Sequence, residues 1–212
     1  MFYRRIIKRL SDLLLSVIVL GIIAIPMVII GIIIKLTSKG PALFIQERFG
    51  RNSRPFKLYK FRSMTNHAPQ LANSKFGDIK SYVTPFGMFI RKTSIDELPQ
   101  LWNIIKGDMS FIGPRPLAKT DEKVLSLRKQ NGADQVLPGI SGLAQVNGRN
   151  NLSDEDKAAY DAKYAAHLSF RVDMLLTVET FVSVLKRDGV FKETLIDDKK
   201  AENGAVRNGK EL

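Results

Sequence analysis

The 212-residue chain has no cysteine and only two histidines, His67 and His167. Disulfides and thiolate metal sites are therefore excluded, and two histidines without a thiol make a zinc site improbable. The lack of thiols is compatible with a reducing compartment. Acids are scarce beside bases, 21 against 33, which leaves a net charge of +12. Such an excess directs attention to anionic partners: nucleic acid, an anionic membrane surface or phosphorylated small molecules. The basic residues are dispersed along the chain and form no basic stripe interleaved with aromatics, so nucleic acid is not an expected partner. Internal repeats are also lacking.

Charge is missing altogether from Leu13 to Ile34, LLLSVIVLGIIAIPMVIIGIII. About 20 apolar residues is the length of a membrane-spanning helix. A signal peptide is disfavoured, because the run is long and no small-residue cleavage site follows it. A one-pass anchor and a re-entrant hairpin remain. Pro26 inside the run removes a backbone hydrogen bond and predicts a kink. Arg4, Arg5, Lys8 and Arg9 precede the run, and Lys35 and Lys39 follow it. Positive charge marks the cytoplasmic side, so two basic flanks suit a helix that enters, bends at Pro26 and returns. Ser11 and Asp12, just before the run, are expected at the interface.

Ser38 to Pro41 is turn chemistry and closes the membrane part. Two β-prone runs, Ala42 to Ile45 and Phe56 to Tyr59, flank Gly50-Arg51-Asn52-Ser53 and predict a hairpin. Residues 66–82 are polar and weakly patterned, a surface loop. Leu98, Leu101, Trp102, Ile104 and Ile105 recur at helical spacing, with an end near Gly107. Pro114 and Pro116 enforce an extended loop. Ser153 followed by three acids is a helix start. Val172 to Leu185 is an amphipathic helix ended by Lys186 and Arg187. The expected fold class is α+β, mostly helical: a re-entrant membrane helix with basic flanks over 1–40, a cytoplasmic catalytic domain over 41–190 containing a small β-hairpin and amphipathic interfacial helices, and a polar tail over 191–212.

Ser94-Ile95-Asp96-Glu97 matches a capping box, which gives both acids a purely structural reading. Pro99 weakens that reading, because proline fits best as the first helical residue. Asp96 and Glu97 then lie on a tight turn ahead of the helix. Around them in sequence stand Lys60, Arg62, Arg91 and Lys92. Arg115 sits between two prolines, where a stiff backbone pre-positions its guanidinium for phosphate oxygens. Gln145, Asn147, Arg149 and Asn150 lie in a glycine- and amide-rich stretch that either holds a nucleotide or merely turns. Acids beside many cations suit a multiply charged phosphate substrate. Carboxylates alone repel a diphosphate, and a divalent ion with oxygen ligands, magnesium, resolves the conflict.

The runs Arg91 to Asn103, Lys106 to Pro116, Phe56 to Met64 and Pro138 to Asn150, in that family's characteristic motifs, closely resemble the bacterial sugar transferases, the small monotopic phosphoglycosyl transferases. The resemblance covers the chain from the apolar segment to about Gly189. It implies a re-entrant helix kinked at Pro26, with both ends cytoplasmic at the bacterial inner membrane. It implies that Asp96 is a nucleophile partnered by Glu97, that magnesium binds at this dyad, and that Lys60, Arg62, Arg91 and Arg115 handle phosphate. Gln145, Asn147 and Arg149 are implied in nucleotide binding. The implied reaction moves a sugar-1-phosphate from a UDP-sugar to a polyprenol (undecaprenyl) phosphate through an aspartyl-phosphosugar, with release of UMP. It is the first membrane step in assembling an exopolysaccharide, capsule, O-antigen or protein-linked glycan. Membrane lipids, a second copy of the chain and downstream glycosyltransferases are the further expected partners. Ile25 stands where many members carry serine, and Leu137 where many carry arginine or lysine.

Overall fold

The computed structural model describes residues 3–65, 82–148 and 152–185. After one π-helical turn (Tyr3–Ile7), helix α1 runs from Lys8 to Thr37. Helical bonding continues on both sides of Pro26, whose missing N–H leaves the Ile22 carbonyl without its helical donor. Ser38 closes α1 in an extended conformation, its N–H donating to the Ile34 carbonyl. By length and composition α1 is able to cross a membrane. Asp12, just before the apolar run, is buried against the domain, and its Oδ1 accepts from the Phe111 N–H at 3.3 Å.

Strands β1 (Leu43–Phe49) and β2 (Pro55–Phe61) form the expected antiparallel hairpin. The reversal between them needs left-handed backbone at Asn52 and Ser53, φ 55° and 53°. Helix α2 (Pro85–Lys92) begins with Thr84, whose side chain caps the Gly87 N–H. A single 3₁₀ turn, Ile95–Glu97, leads into α3 (Gln100–Lys106), which ends at the left-handed Gly107. Strand β3 (Ser110–Ile112) pairs in parallel with β4 (Gly139–Ser141). Helix α4 (Glu122–Asn131) and the short α5 (Leu143–Val146) complete the middle of the chain. Helix α6 (Asp154–Ala166) starts at Ser153, whose hydroxyl accepts from the Asp156 N–H as expected. Helix α7 spans Phe170–Leu185. The expected ending at Lys186 and Arg187, most of the 66–82 loop, and Arg149 lie outside the described residues.

Three contacts position the site. Leu58 of β2 packs with Leu101, Ile104 and Met109, and Val19, Leu20 and Ile23 of α1 cover that cluster. Farther along α1, Met27, Ile30 and Ile34 pack with Phe61 and Ile90. The domain thus holds α1 along most of its length. Each fully buried aliphatic side chain here contributes about 1.5–3 kcal/mol relative to exposure. The third contact is polar. Asp173 of α7 accepts from Tyr3 (2.6 Å), Lys8 (2.7 Å) and Tyr164 (2.7 Å), fastening the start of α1 to the domain.

Candidate active site

The acids are presented by the junction of α2 and α3. Ser94 adopts left-handed backbone, φ 57°, which costs a non-glycine residue about 1 kcal/mol. Its side chain makes no capping bond, so the capping box is not formed. The chain instead makes the tight turn, and Pro99 stands immediately before α3. Ile95 and Leu98 pack onto the Ile34, Phe61 and Ile90 cluster, pinning the turn from both sides of the acids.

Glu97 accepts from Lys60 Nζ at 2.6 Å, each side chain about one-fifth exposed. Asp96 is different. Burial pushes its carboxyl up to about 6; Lys60 opposes this, Glu97 adds to it, and Arg91 and Arg115 oppose it. Asp96 thus holds its proton more tightly than an ordinary carboxyl, with cations close enough to stabilise its ionised form. A carboxylate of this kind is a stronger nucleophile than an exposed one once its proton is lost.

Beside the dyad lies a shallow open cleft, with Arg48, Lys60, Glu97, Gln100 and Arg115 in its walls. The hairpin register explains the first two. Arg48 stands opposite Phe56, and Lys60 opposite Phe44, so both project on the same face of the ribbon. Arg115 is exposed while Pro114 and Pro116 are buried. Its carbonyl accepts from Arg128 at 2.9 Å, and Arg128 is itself paired with the buried Asp161 at 2.8 Å. The loop is held from behind as well. An added Cβ at Gly139 would lie 2.1 Å from the Gly113 N, and one at Gly142 2.1 Å from the Gly113 carbonyl oxygen. Only glycine lets β3, β4 and the loop approach this closely.

The predicted residues divide as follows. Asp96, Glu97, Lys60, Arg91 and Arg115 are brought together. Arg62 is placed elsewhere: it is buried, and donates to the Ser38 carbonyl (2.7 Å) and hydroxyl (2.7 Å) and the Lys39 carbonyl (3.0 Å) at the end of α1. Gln145 is buried beside Gly142, its amide without a hydrogen-bond partner among the described residues. Asn147 is exposed and donates to the Leu143 carbonyl at 2.8 Å. Arg48 and Gln100 were not singled out from sequence. The available signal for Arg48 was a cation between the first β-prone run, expected to end at Ile45, and the hairpin turn at Gly50; the structure extends β1 through it to Phe49.

Among the described residues, no group of three or more histidine, cysteine, aspartate or glutamate side chains is placed to hold a metal. Asp96 and Glu97 still fit magnesium, which typically takes one or two carboxylates and completes its shell with water and substrate phosphates.

The profile of the family described as bacterial sugar transferase matches residues 3–187. The chain is 40% identical over 185 residues to the "Uncharacterized sugar transferase EpsL" of Bacillus subtilis (strain 168), covering 87% of this chain and 90% of that protein. It is 38% identical over 190 residues to the "UDP-glucose:undecaprenyl-phosphate glucose-1-phosphate transferase" of Klebsiella pneumoniae, covering 85% of this chain and 40% of that protein. It is 37% identical over 205 residues to the "Undecaprenyl-phosphate galactose phosphotransferase" of Salmonella typhimurium, covering 88% of this chain and 42% of that protein. It therefore spans less than half the length of the last two relatives.

Proposed function

The chain belongs to the bacterial sugar transferase family, and on that premise we propose that it is a membrane-bound phosphoglycosyl transferase moving a sugar-1-phosphate from a UDP-sugar to undecaprenyl phosphate. The observation that carries the proposal is the pairing of Asp96, raised to about 6 by burial, with a cation-lined cleft at its side.

In the proposed reaction the ionised Asp96 carboxylate attacks the sugar-bearing phosphorus. The bond to the bridging oxygen breaks and UMP departs, leaving an aspartyl-phosphosugar. An oxygen of the lipid phosphate then attacks the same phosphorus, and the Asp96 carboxylate is released with formation of the lipid diphosphosugar. Splitting the transfer in two keeps the bulky anionic donor and acceptor from having to meet at once. Glu97 holds Lys60 in place, and Lys60 and Arg115 stabilise the charge on the phosphate oxygens. Magnesium, held by Asp96 and Glu97, would supply further neutralisation of the diphosphate.

A re-entrant α1 with both ends at the cytoplasmic face belongs to the same reading. A straight 30-residue helix is about 45 Å long, enough to place its ends on opposite sides of a membrane. Yet polar groups of one domain engage both ends: Asp173 binds Lys8, and Arg62 binds Ser38 and the Lys39 carbonyl. Basic residues flank both ends too. A bend at Pro26 reconciles these contacts with an apolar segment inserted from one side. Helix α7 exposes Phe170, Met174, Val178, Phe181 and Val182, and its first turn touches the start of α1 through an edge-to-face contact of Tyr3 with Phe170 at 6.2 Å. That stripe suits a helix lying in the interface.

UMP release tests the reading. Purified protein in detergent is given magnesium, undecaprenyl phosphate and a panel of UDP-sugars, beside Asp96→Asn. Release with one donor, abolished by the substitution, supports the proposal and identifies the sugar. Silence across the panel, with folded protein and an active relative as positive control, rejects it for those donors.

A further inference from the structure

We propose that Arg48 is a second phosphate-gripping guanidinium, which together with Arg115 binds the diphosphate group of the donor. The inference rests on the reading above and adds to it a residue outside the sequence-derived set.

The argument begins with charge matching in the cleft. Lys60 is neutralised by Glu97 at 2.6 Å. Arg48 and Arg115 line the same cleft, and neither forms an ion pair with a carboxylate of the described residues. Two guanidinium groups thus line one cleft with neither held in an ion pair, and a diphosphate diester carries two negative charges. Burial, and after it the nearness of Arg115, pushes Arg48 down from the ordinary arginine range, while Asp121 and Glu97 oppose the shift. A cationic pair of this kind is unfavourable until an anion enters.

The orientation of Arg48 is also set in advance. Gln46 Oε1 accepts from Arg48 Nε at 3.0 Å and from Nη2 at 2.6 Å. Gln46 and Arg48 are two apart on β1 and share a face, so the strand itself supplies this arrangement. A neutral amide fixes the fork without cancelling its charge. Three of the five guanidinium N–H donors stay outside that contact. An ordinary surface arginine is solvated or paired with an acid; Arg48 is half-buried, held by an amide and directed to a cleft shared with a second arginine.

The test uses inorganic diphosphate as probe, titrated calorimetrically into the full chain in detergent micelles. The proteins are wild type, Arg48→Gln, Arg48→Lys, Gln46→Leu and, as control, Arg51→Gln on the exposed hairpin turn. Loss of a charge-assisted contact predicts a rise in Kd of about tenfold or more for Arg48→Gln. Arg48→Lys, which keeps the charge and loses the fork, and Gln46→Leu, which frees it, fall between that and wild type. Arg51→Gln stays within about twofold of wild type. An unchanged Kd in a folded Arg48→Gln protein overturns the inference, as does a wild type that binds no diphosphate. UMP release from the UDP-sugar panel, run in parallel, separates the two ideas. Release without an effect of Arg48→Gln on diphosphate Kd or donor KM removes only the arginine. Arg48-dependent diphosphate binding with no release removes the transfer reaction and leaves the anion site standing.

Discussion

Replacing Asn103 should damage the site from behind. This side chain is fully buried in α3. Its Oδ1 accepts from the Tyr59 N–H at 3.1 Å, and its Nδ2 donates to the Lys57 carbonyl at 2.7 Å and to Asp108 at 3.3 Å. Those two backbone groups lie two residues apart on the edge of β2 that faces away from β1. The amide therefore does what a peptide group of a third strand would do, and it holds the strand that carries Lys60. In Asn103→Ala both backbone groups lose their partner in a place with little room for water. Each unsatisfied group costs about 1–3 kcal/mol, so about 3 kcal/mol in total is expected after partial relaxation. For a chain of this size that lowers Tm by about 6–12 °C. The single tryptophan, Trp102, adjoins the substitution and reports melting by fluorescence in detergent. Asn103→Asp is a sharper version. Its carboxylate is buried facing the Lys57 carbonyl, so its folded pKa is raised above the unfolded one. Stability is then retained below the unfolded pKa and lost as pH rises through the folded one. A shift of less than about 2 °C for Asn103→Ala, or an Asn103→Asp protein that melts at the same temperature at pH 5 and pH 8, refutes this account of how β2 is held.

Other substitutions probe the rest. Lys60→Met removes the largest influence opposing the burial of Asp96, so under the proposed reaction the pH at which the metal-free protein reacts with donor should move upward from about 6, with a lower rate at neutral pH; single-turnover UMP release against pH gives the profile. Gly139→Ala places a Cβ 2.1 Å from the Gly113 nitrogen, so a loss of at least 1–3 kcal/mol and a displaced Arg115 are expected, read as reduced Tm and raised donor KM. Asp173→Ala leaves Lys8 buried beside two tyrosine hydroxyls without its acid, a loss of about 3–5 kcal/mol that protease sensitivity of the α1 start would report.

Much of this arrangement could be read from residues that punctuate the chain. The Gly50–Ser53 segment announces the hairpin, Gly107 ends α3 and Ser153 starts α6. Pro99 argues against a capping box, and the acid turn follows from it. Features made by distant partners were not legible. Strands β3 and β4 are three residues each, too short for alternation to show, and their parallel pairing joins Ser110 to Gly139 across the length of α4. Helix α4 itself has a weak apolar pattern and was not anticipated. Arg62 illustrates the same limit. Two residues after Lys60, it would share its face if β2 continued, but the strand stops at Phe61 and the side chain turns to the end of α1. Arg48 becomes interpretable only once the hairpin register and the Pro114–Pro116 loop are both known.

One contact between α1 and α3 bears on where the reaction takes place. Arg9 donates to the carbonyls of Ile104 and Ile105 at 2.6 and 2.8 Å, gripping the carboxyl end of α3, while Asp96 and Glu97 precede its amino end. A helix of seven residues is only about 10 Å long. The apolar helix α1 and the turn that carries the acids are therefore joined by a short strut, which adds to the packing of Ile95 and Leu98 on Ile34. In the proposed reaction the acceptor phosphate is tied by its lipid to the headgroup layer and cannot leave it to find its partner. On that reading a fixed distance between α1 and the acids matters, and adding one turn to α3 would be expected to leave a folded protein whose acids sit at the wrong height for the acceptor.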